Sequence, residues 1–96
     1  MARIGFARHA FEDFERIFDF YAPDDPGLAR AQVRAIREAI SILGNHPLIG
    51  HLVKHGLREL MISRGKTGFV ALYRFTPRAE LVTILRIRHQ RELGLQ

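Results

Sequence analysis

The chain has 96 residues, of which 47% are hydrophobic, so it is long enough for one folded domain (1–96) with a modest core. It has no cysteine, no run of roughly 20 apolar residues and no uncharged apolar start, so we expect no disulfide, no membrane span, no signal peptide and a cytoplasmic location. Fifteen Lys/Arg against ten Asp/Glu give a net charge of +5, which favours nucleic acid or an acidic partner.

Residues 2–7 predict a short first strand, and a helix follows. Apolar side chains recur there every three or four residues, which indicates an amphipathic helix with an inner face of Phe11, Phe14, Ile17, Phe18 and Tyr21. The intervening acids are then expected on its other faces: Glu12, Asp13, Glu15 and Asp19. Pro23 closes this helix, because the residue before a proline disfavours the α conformation.

A second helix is predicted to begin with Asp25 as its N-cap and Pro26 at its first position. Its apolar face comprises Ala29, Val33, Ile36, Ile40 and Leu43. Gly44-Asn45 ends it, and the short link between the helices indicates an antiparallel hairpin. We expect a loop over 45–56, which is rich in Gly, Pro and Asn.

After Gly56 the apolar period changes to two, which predicts strands at 57–63, 69–75 and 80–88. The strand at 69–75 is apolar on both faces, as a central strand should be. Alternation in the last strand predicts two faces. One carries Leu81, Thr83, Leu85 and Ile87, and the other carries Val82, Ile84, Arg86 and Arg88. The order β-α-α-β-β-β predicts an α+β fold, with an N-terminal helical hairpin on one face of a mainly antiparallel sheet.

Three loop histidines, His46, His51 and His55, come nearest to a metal-ligand set. His51 and His55, four residues apart, would need a third ligand to hold zinc. The chain has no cysteine, the nearest acid is Glu59, and the segment is predicted as loop rather than helix, so we expect no metal. No hydroxyl lies in a nucleophile-elbow pattern, and the Gly-Lys-Thr at 65–67 lacks the glycine spacing of a phosphate-binding loop. The sequence therefore predicts no cofactor.

Positive charge is concentrated in the second half of the chain. Residues 51–96 hold nine Lys/Arg and three Asp/Glu, whereas residues 1–50 hold six and seven. The cluster consists of Arg58, Arg64, Lys66, Arg74, Arg86, Arg88, His89 and Arg91. Guanidinium groups alternating with apolar residues in strands favour binding of nucleic acid or an acidic peptide. A solvated sheet face covered by arginine stems is the alternative.

Two segments carry a resemblance to a known family. LRELMISRGKTGFVALYRF (57–75) and LVTILRIRHQRE (81–92) resemble the RelE/ParE toxin superfamily of type II toxin–antitoxin systems, and within it the ParE branch. The motifs are a Leu-Arg-Glu strand, a Ser-Arg-Gly turn, the sequence Leu72-Tyr73-Arg74, and the sequence Ile87-Arg88-His89-Gln90-Arg91. The helical hairpin agrees with the family in order and length, and the family fold has the order that the periodicity predicts.

The resemblance implies one of two activities. RelE-like members are ribosome-dependent ribonucleases with lysines on the second strand, an arginine after the Gly-aromatic pair, and an arginine and a tyrosine near the C-terminus. Here Leu60 and Ile62 stand on the second strand, Val70 follows Gly68-Phe69, and no tyrosine follows Tyr73. ParE-like members lack the nuclease set and are associated with inhibition of DNA gyrase, which the resemblance therefore favours.

For a gyrase-binding toxin we expect a toxic surface of Arg74, Arg86, Arg88, His89 and Arg91, with a contact to nucleic acid also open. The resemblance also implies a cognate ParD-like antitoxin, docked as a helix or strand in an apolar groove. For that partner we expect contacts from Arg58, Arg64, Phe14, Phe18 and Tyr21.

Two alternatives stay open at this point. One is a ribosome-dependent mRNA endoribonuclease of the RelE type, with His89 as acid or base beside Arg88 and Arg91. Histidine titrates near neutral pH, whereas guanidinium, with a pKa above about 12, is a poor general base. The other alternative is a non-toxic basic module that binds nucleic acid.

Overall fold

Two helices pack on a five-stranded mixed sheet in the computed structural model, which describes residues 1–63 and 68–89. The strands are β1 (Arg3–Phe6), β2 (His51–Leu52), β3 (Arg58–Met61), β4 (Phe69–Thr76) and β5 (Leu81–His89). The helices are α1 (Arg8–Tyr21) and α2 (Pro26–Ser41), and single 3-10 turns follow at Ile42–Gly44, Lys54–Gly56 and Pro77–Ala79. The predicted α+β class is confirmed. Neither α1 nor α2 has the length and apolar run needed to cross a membrane.

The strand order across the sheet is β1-β5-β4-β3-β2. β1 pairs with β5 in parallel, and every other pair is antiparallel, as the mainly antiparallel prediction requires. β4 occupies the centre, which explains why its sequence is apolar on both faces. The prediction that 45–56 is wholly loop is wrong, because His51 and Leu52 pair with Glu59 and Arg58 as a short edge strand.

The start of α2 confirms the predicted cap. Asp25 is extended (φ −158°, ψ 91°), and its Oδ1 accepts a hydrogen bond of 3.0 Å from the Leu28 N–H. Pro26 occupies the first helical position, where its missing N–H costs no intrahelical bond. Local sequence alone therefore decides where this helix begins.

The buried stripe of α1 is rotated from its predicted position. Ala10, Asp13, Phe14 and Ile17 are the buried residues of this helix, at the i, i+3, i+4, i+7 spacing of a single face. Phe11, predicted to face inward, is 55% exposed, and Asp13, predicted on a polar face, is 1% exposed. The helix begins at Arg8, one turn before Phe11, the first residue of the predicted apolar pattern, and its inner stripe includes a carboxylate.

A β-bulge changes which residues of β5 face the helices. Leu72 pairs with Arg86 but Tyr73 pairs with Ile84, so Leu85 is an extra residue without a partner in register. Ile87 consequently joins Val82 and Ile84 in the core, and the strict alternation predicted for this strand is wrong. The fully buried side chains packed there with the helices include Tyr73, Phe69, Ile36, Ile40 and Leu43.

Asp13 connects α1 to the sheet. β1 ends at Phe6, with the Ala7 N–H bonded to the Ile84 carbonyl (2.9 Å), so β5 continues beyond its parallel neighbour. At Ile87, beyond the end of β1, the N–H donates to Asp13 Oδ2 (2.8 Å) in place of a β1 carbonyl. Arg86 donates from Nε to Oδ2 (2.9 Å) and from Nη2 to Oδ1 (3.1 Å), and Arg16 Nη1 donates to Oδ1 (2.6 Å). One carboxylate thus accepts hydrogen bonds from the open edge of β5 and from two guanidinium groups.

Burial raises the pKa of Asp13, but the hydrogen bonds from Arg86, the Ile87 N–H and Arg16 outweigh it, so the net pKa is below its usual range. The same contact raises the pKa of Arg86, chiefly through its hydrogen bond to Asp13. Because the pKa of Asp13 is lower in the folded chain, ionised Asp13 stabilises the fold at neutral pH. That contribution is lost as the pH falls through the folded pKa.

We expect Asp13→Asn to lower the free energy of unfolding by about 2 kcal/mol at pH 7, because it weakens charge-assisted hydrogen bonds to a buried group. The difference from the wild-type chain should begin to shrink as the pH falls below about 4, the ordinary pKa of an unfolded aspartate, and should be lost below the lower pKa of the folded chain. Urea unfolding across this pH range measures both quantities. Glu12→Gln, at the exposed neighbouring position, is the control; a gap that stays constant with pH would contradict this role for Asp13.

Candidate functional site

The sheet has an outer face, which we define as the side of β4 that carries Val70, Leu72 and Arg74. The residues that alternate with them, Phe69, Ala71 and Tyr73, are buried against the helices. Val70 is buried, Leu72 is half-buried and Arg74 is exposed. The outer face therefore combines an apolar surface with a guanidinium group on the central strand.

Arg74 and Arg88 are the predicted target-binding arginines that lie on the outer face. Arg74 pairs across the strands with Thr83, and Arg88 pairs with Val70. The guanidinium of Arg74 makes no hydrogen bond or ion pair with any described residue. Arg88 is half-buried, and its Nε atom is buried. It lies opposite Val70, four residues along β4 from Arg74, so the two arginines are separate positions on this face. A guanidinium group such as that of Arg74 can hold a carboxylate or a phosphate.

Arg86, the third predicted arginine on β5, pairs with Leu72, but its guanidinium is bound to Asp13 of α1. Its side chain is 37% exposed and is oriented by two hydrogen bonds to one carboxylate. This geometry gives Arg86 a structural role that the alternation of the sequence did not indicate. Any part of Arg86 in target binding would use only the remaining N–H groups of its guanidinium.

His89 lies on the opposite side of the sheet from Arg88. It pairs with Phe69, and the two rings meet edge to face with centroids 5.1 Å apart and planes at 75°. Phe69 belongs to the core, so the His89 side chain is on the helix side of β5. Arg91 lies outside the described residues. The predicted toxic surface is thus divided between two faces over the part of the chain that the structure describes.

The residues predicted to contact an antitoxin are also dispersed. Phe14 is in the core, packed against Phe6 with ring centroids 5.8 Å apart, whereas Phe18 and Tyr21 are half-buried on α1. Arg58 is bound to loop carbonyls and Arg64 lies outside the described residues. Phe18 and Tyr21 are therefore the ones among these side chains that offer an accessible apolar surface.

Tyr73 and Arg58 hold the loop between α2 and β3 against the sheet by hydrogen bonds. Sequence reasoning did not predict these contacts. The Tyr73 hydroxyl donates to the Pro47 carbonyl (2.8 Å) and accepts from the Gly50 N–H (2.9 Å). Arg58 Nη1 donates to the carbonyls of Gly50 (2.9 Å) and Leu48 (3.2 Å). A Cβ on Gly50 would lie 2.6 Å from the Tyr73 ring, so the loop approaches the sheet more closely than another residue would permit.

Burial raises the pKa of the Tyr73 hydroxyl, and the Gly50 hydrogen bond and the positive charge of Arg58 offset only part of that rise. The hydroxyl therefore stays protonated and acts as the donor to Pro47. The loop carries Leu48, Ile49 and Leu52, which are all exposed. Within 1–63 and 68–89, His46, His51 and His55 belong to no group of three or more His, Cys, Asp or Glu close enough to hold a metal ion.

Tyr73→Phe should lower the free energy of unfolding by about 1–2 kcal/mol, because it leaves the Gly50 N–H and the Pro47 carbonyl without their buried partner. Amide hydrogen exchange at Gly50 should accelerate as well. Tyr21→Phe is the matched control, since the Tyr21 side chain is only half-buried, and it should change stability by less than about 0.5 kcal/mol. Equal effects of the two variants, or unchanged exchange at Gly50, would contradict the assigned anchor.

Comparison with known proteins connects this geometry to a family. The model of the ParE toxin of the type II toxin–antitoxin system parDE matches residues 4–94. The chromosomal ParDE system from P. aeruginosa contains a similar chain, at 27% identity and a TM-score of 0.78, over 93% of this chain and 96% of that one. No curated protein sequence gave a match.

Two more distant solved structures share the fold. One is the toxin–antitoxin complex RelBE2 from Mycobacterium tuberculosis, with 22% identity and a TM-score of 0.64, over 93% of this chain and 98% of that one. The other is the intact RelBE toxin–antitoxin complex from E. coli, with 11% identity and a TM-score of 0.64, over 93% and 96%. The family match spans nearly the whole chain, and this chain therefore belongs to the ParE toxins of type II toxin–antitoxin systems.

Proposed function

We propose that this toxin inhibits DNA gyrase by binding to it, without covalent chemistry of its own, and that the outer face of the sheet is the binding surface. The observation that carries the proposal is the exposed guanidinium of Arg74 on the central strand, on the same face as Leu72 and next to Thr83 of β5. The strands fix the backbone at these positions, so binding a partner costs side-chain entropy but little backbone entropy. With gyrase as its target, the toxin acts in the cytoplasm.

The positions where a RelE-like nuclease would carry basic residues support binding over cleavage. Leu60 and Ile62 pack against the hydrophobic core, and Val70 is buried. Hydrolysis or transfer at a phosphate needs a proton acceptor and a donor near the reacting atoms. Arg74 and Arg88 can stabilise negative charge but are poor proton acceptors, and His89 points to the other side of the sheet.

A cognate antitoxin of the ParD type is the second partner in this proposal. Two of the similar structures, those from M. tuberculosis and E. coli, are toxin–antitoxin complexes. In this chain the helical hairpin leaves Phe11 and Phe20 exposed and Phe18 and Tyr21 half-buried. An apolar helix surface of this kind is suited to an amphipathic segment of another chain.

The gyrase proposal is tested by supercoiling of relaxed plasmid with purified gyrase and purified toxin. We expect the wild-type chain to stop supercoiling or to accumulate cleaved plasmid. Arg74→Ala should raise the toxin concentration for half inhibition about tenfold, equivalent to ~1.4 kcal/mol of binding free energy. Arg8→Ala removes an exposed arginine at the start of α1, on the helix side of the sheet, and should leave inhibition unchanged.

Normal supercoiling at a large excess of wild-type toxin would contradict the gyrase target. Equal loss of inhibition in Arg74→Ala and Arg8→Ala would contradict the outer face as the binding surface. Message cleavage by the pure chain with ribosomes, abolished by His89→Gln, would instead establish the endoribonuclease alternative.

A further inference from the structure

Exposed aliphatic side chains are concentrated in residues 47–53, which we call the edge loop because it contains β2, the edge strand of the sheet. Leu48, Ile49 and Leu52 are 57%, 54% and 56% exposed. Single exposed apolar side chains are ordinary on a protein surface, whereas several close together mark an interaction site. The edge loop therefore presents an apolar patch to solvent.

Hydrogen bonds to the sheet hold the edge loop in this conformation. The Tyr73 hydroxyl binds the Pro47 carbonyl and the Gly50 N–H, and Arg58 binds the carbonyls of Leu48 and Gly50. Turning the patch inward would break these bonds and leave buried polar groups without partners. The patch is thus preorganised, so binding a partner orders little further backbone.

The charges around the patch indicate what kind of surface it fits. Residues 39–58 contain no Asp or Glu. The nearest acid along the chain after them, Glu59, is half-buried on β3. The exposed polar side chains of this stretch include His46, His51, Lys54 and His55. Histidine is neutral or positive and never negative, so the rim complements a partner that is apolar at its centre and acidic at its rim.

The composition of the edge loop favours a protein surface over lipid or nucleic acid. Residues 39–57 carry one lysine, Lys54, and no arginine. Binding to an anionic membrane relies on clusters of about 4–8 Lys/Arg, which this stretch lacks. Affinity for nucleic acid comes mainly from cations that neutralise phosphates, and the patch offers aliphatic side chains instead.

The edge loop lies close to Arg74, the exposed arginine of the outer face. Tyr73 directly precedes Arg74 on β4, and Arg58 and then Leu52 continue the same row across β3 and β2. Neighbouring strands are about 4.8 Å apart, so β2 is roughly 10 Å from β4. A protein interface of ordinary size covers roughly 800 Å² on each partner. A partner on the outer face therefore reaches the patch by extending over the edge of the sheet.

We propose that the edge loop is a second contact of the toxin with gyrase, in which Leu48, Ile49 and Leu52 pack on an apolar, acid-rimmed surface of the enzyme. This inference rests on the proposed gyrase target and extends its interface. It supplies the apolar centre that a contact built on Arg74 alone lacks. The hydrogen bonds from Tyr73 then serve binding as well as stability, because they hold the patch in its binding shape.

The test is direct binding of the full chain to immobilised, assembled gyrase, measured by surface plasmon resonance. The wild-type chain should bind saturably. Leu48→Gln should raise the Kd about tenfold, and the triple change Leu48→Gln, Ile49→Gln and Leu52→Gln should raise it further. Leu48→Met keeps an apolar side chain and should bind as the wild type does. Leu28→Gln changes an aliphatic side chain on α2 that is 42% exposed, and as the matched control it should also leave binding unchanged.

Gly50→Ala tests the shape of the patch with its composition unchanged. The added Cβ would lie 2.6 Å from the Tyr73 ring, so the edge loop must shift while its three aliphatic side chains are kept. We expect at least a fivefold rise in Kd, equivalent to ~1 kcal/mol of binding free energy. Far-UV circular dichroism shows whether each variant is folded, and unchanged binding by folded Gly50→Ala would contradict a preorganised patch.

The outcomes separate this inference from the proposed target. Saturable binding of the wild-type chain, with equal binding by the triple variant or equal weakening by Leu28→Gln, would overturn the edge loop as a contact and leave gyrase as the target. No binding of the wild-type chain would overturn both. Sedimentation of the wild-type chain with phosphatidylglycerol vesicles, lost in the triple variant while gyrase binding is unchanged, would assign the patch to a lipid surface instead.

Discussion

The buried carboxylate of Asp13 determines how helix and sheet fit together in this molecule. β5 extends past the end of β1, and an unpaired N–H inside a protein costs about as much as a lost hydrogen bond. Asp13 accepts from that N–H at Ile87 and also from Arg86 and Arg16, which compensates the negative charge buried under α1. Few other side chains could do both, since an amide carries no charge and a longer carboxylate would need more room.

The arginines of this basic protein include some that bind other parts of the same chain and some that are exposed to solvent. Arg86 and Arg58 bind other parts of the same chain, Arg86 through Asp13 and Arg58 through the carbonyls of the loop before β2. Arg74 on the outer face and Arg30, Arg34 and Arg37 on α2 make no ion pair with the described residues and are exposed. Arginines of the second kind therefore keep their guanidinium groups available to bind another molecule.

Features set by neighbouring residues were predictable from the sequence, and features set by distant ones were not. The Asp25 cap, the end of α1 before Pro23 and the central position of β4 follow from local chemistry and from the apolar pattern. The bulge at Leu85 has no local signal, since it depends on the register between β4 and β5. The burial of Asp13 could have been suspected, because it lies at i+3 from Ala10 on the apolar stripe, but its partners are more than 70 residues away. For the candidate site, alternation grouped Arg86 with Arg88, and the register sets them opposite Leu72 and Val70 of β4, but the sequence could not show that Asp13 already binds Arg86.

A double-mutant cycle between Asp13 and Arg86 tests the central role of the Asp13 carboxylate most directly. The free energy of unfolding would be determined by urea denaturation at neutral pH for the wild-type chain, for Asp13→Ala, for Arg86→Ala and for the double variant. We expect a coupling energy of at least about 1 kcal/mol, since each single change removes one partner of the same contact. Additive effects, within about 0.3–0.5 kcal/mol, would contradict it, because Arg86 would then be as free as Arg74 to bind the target.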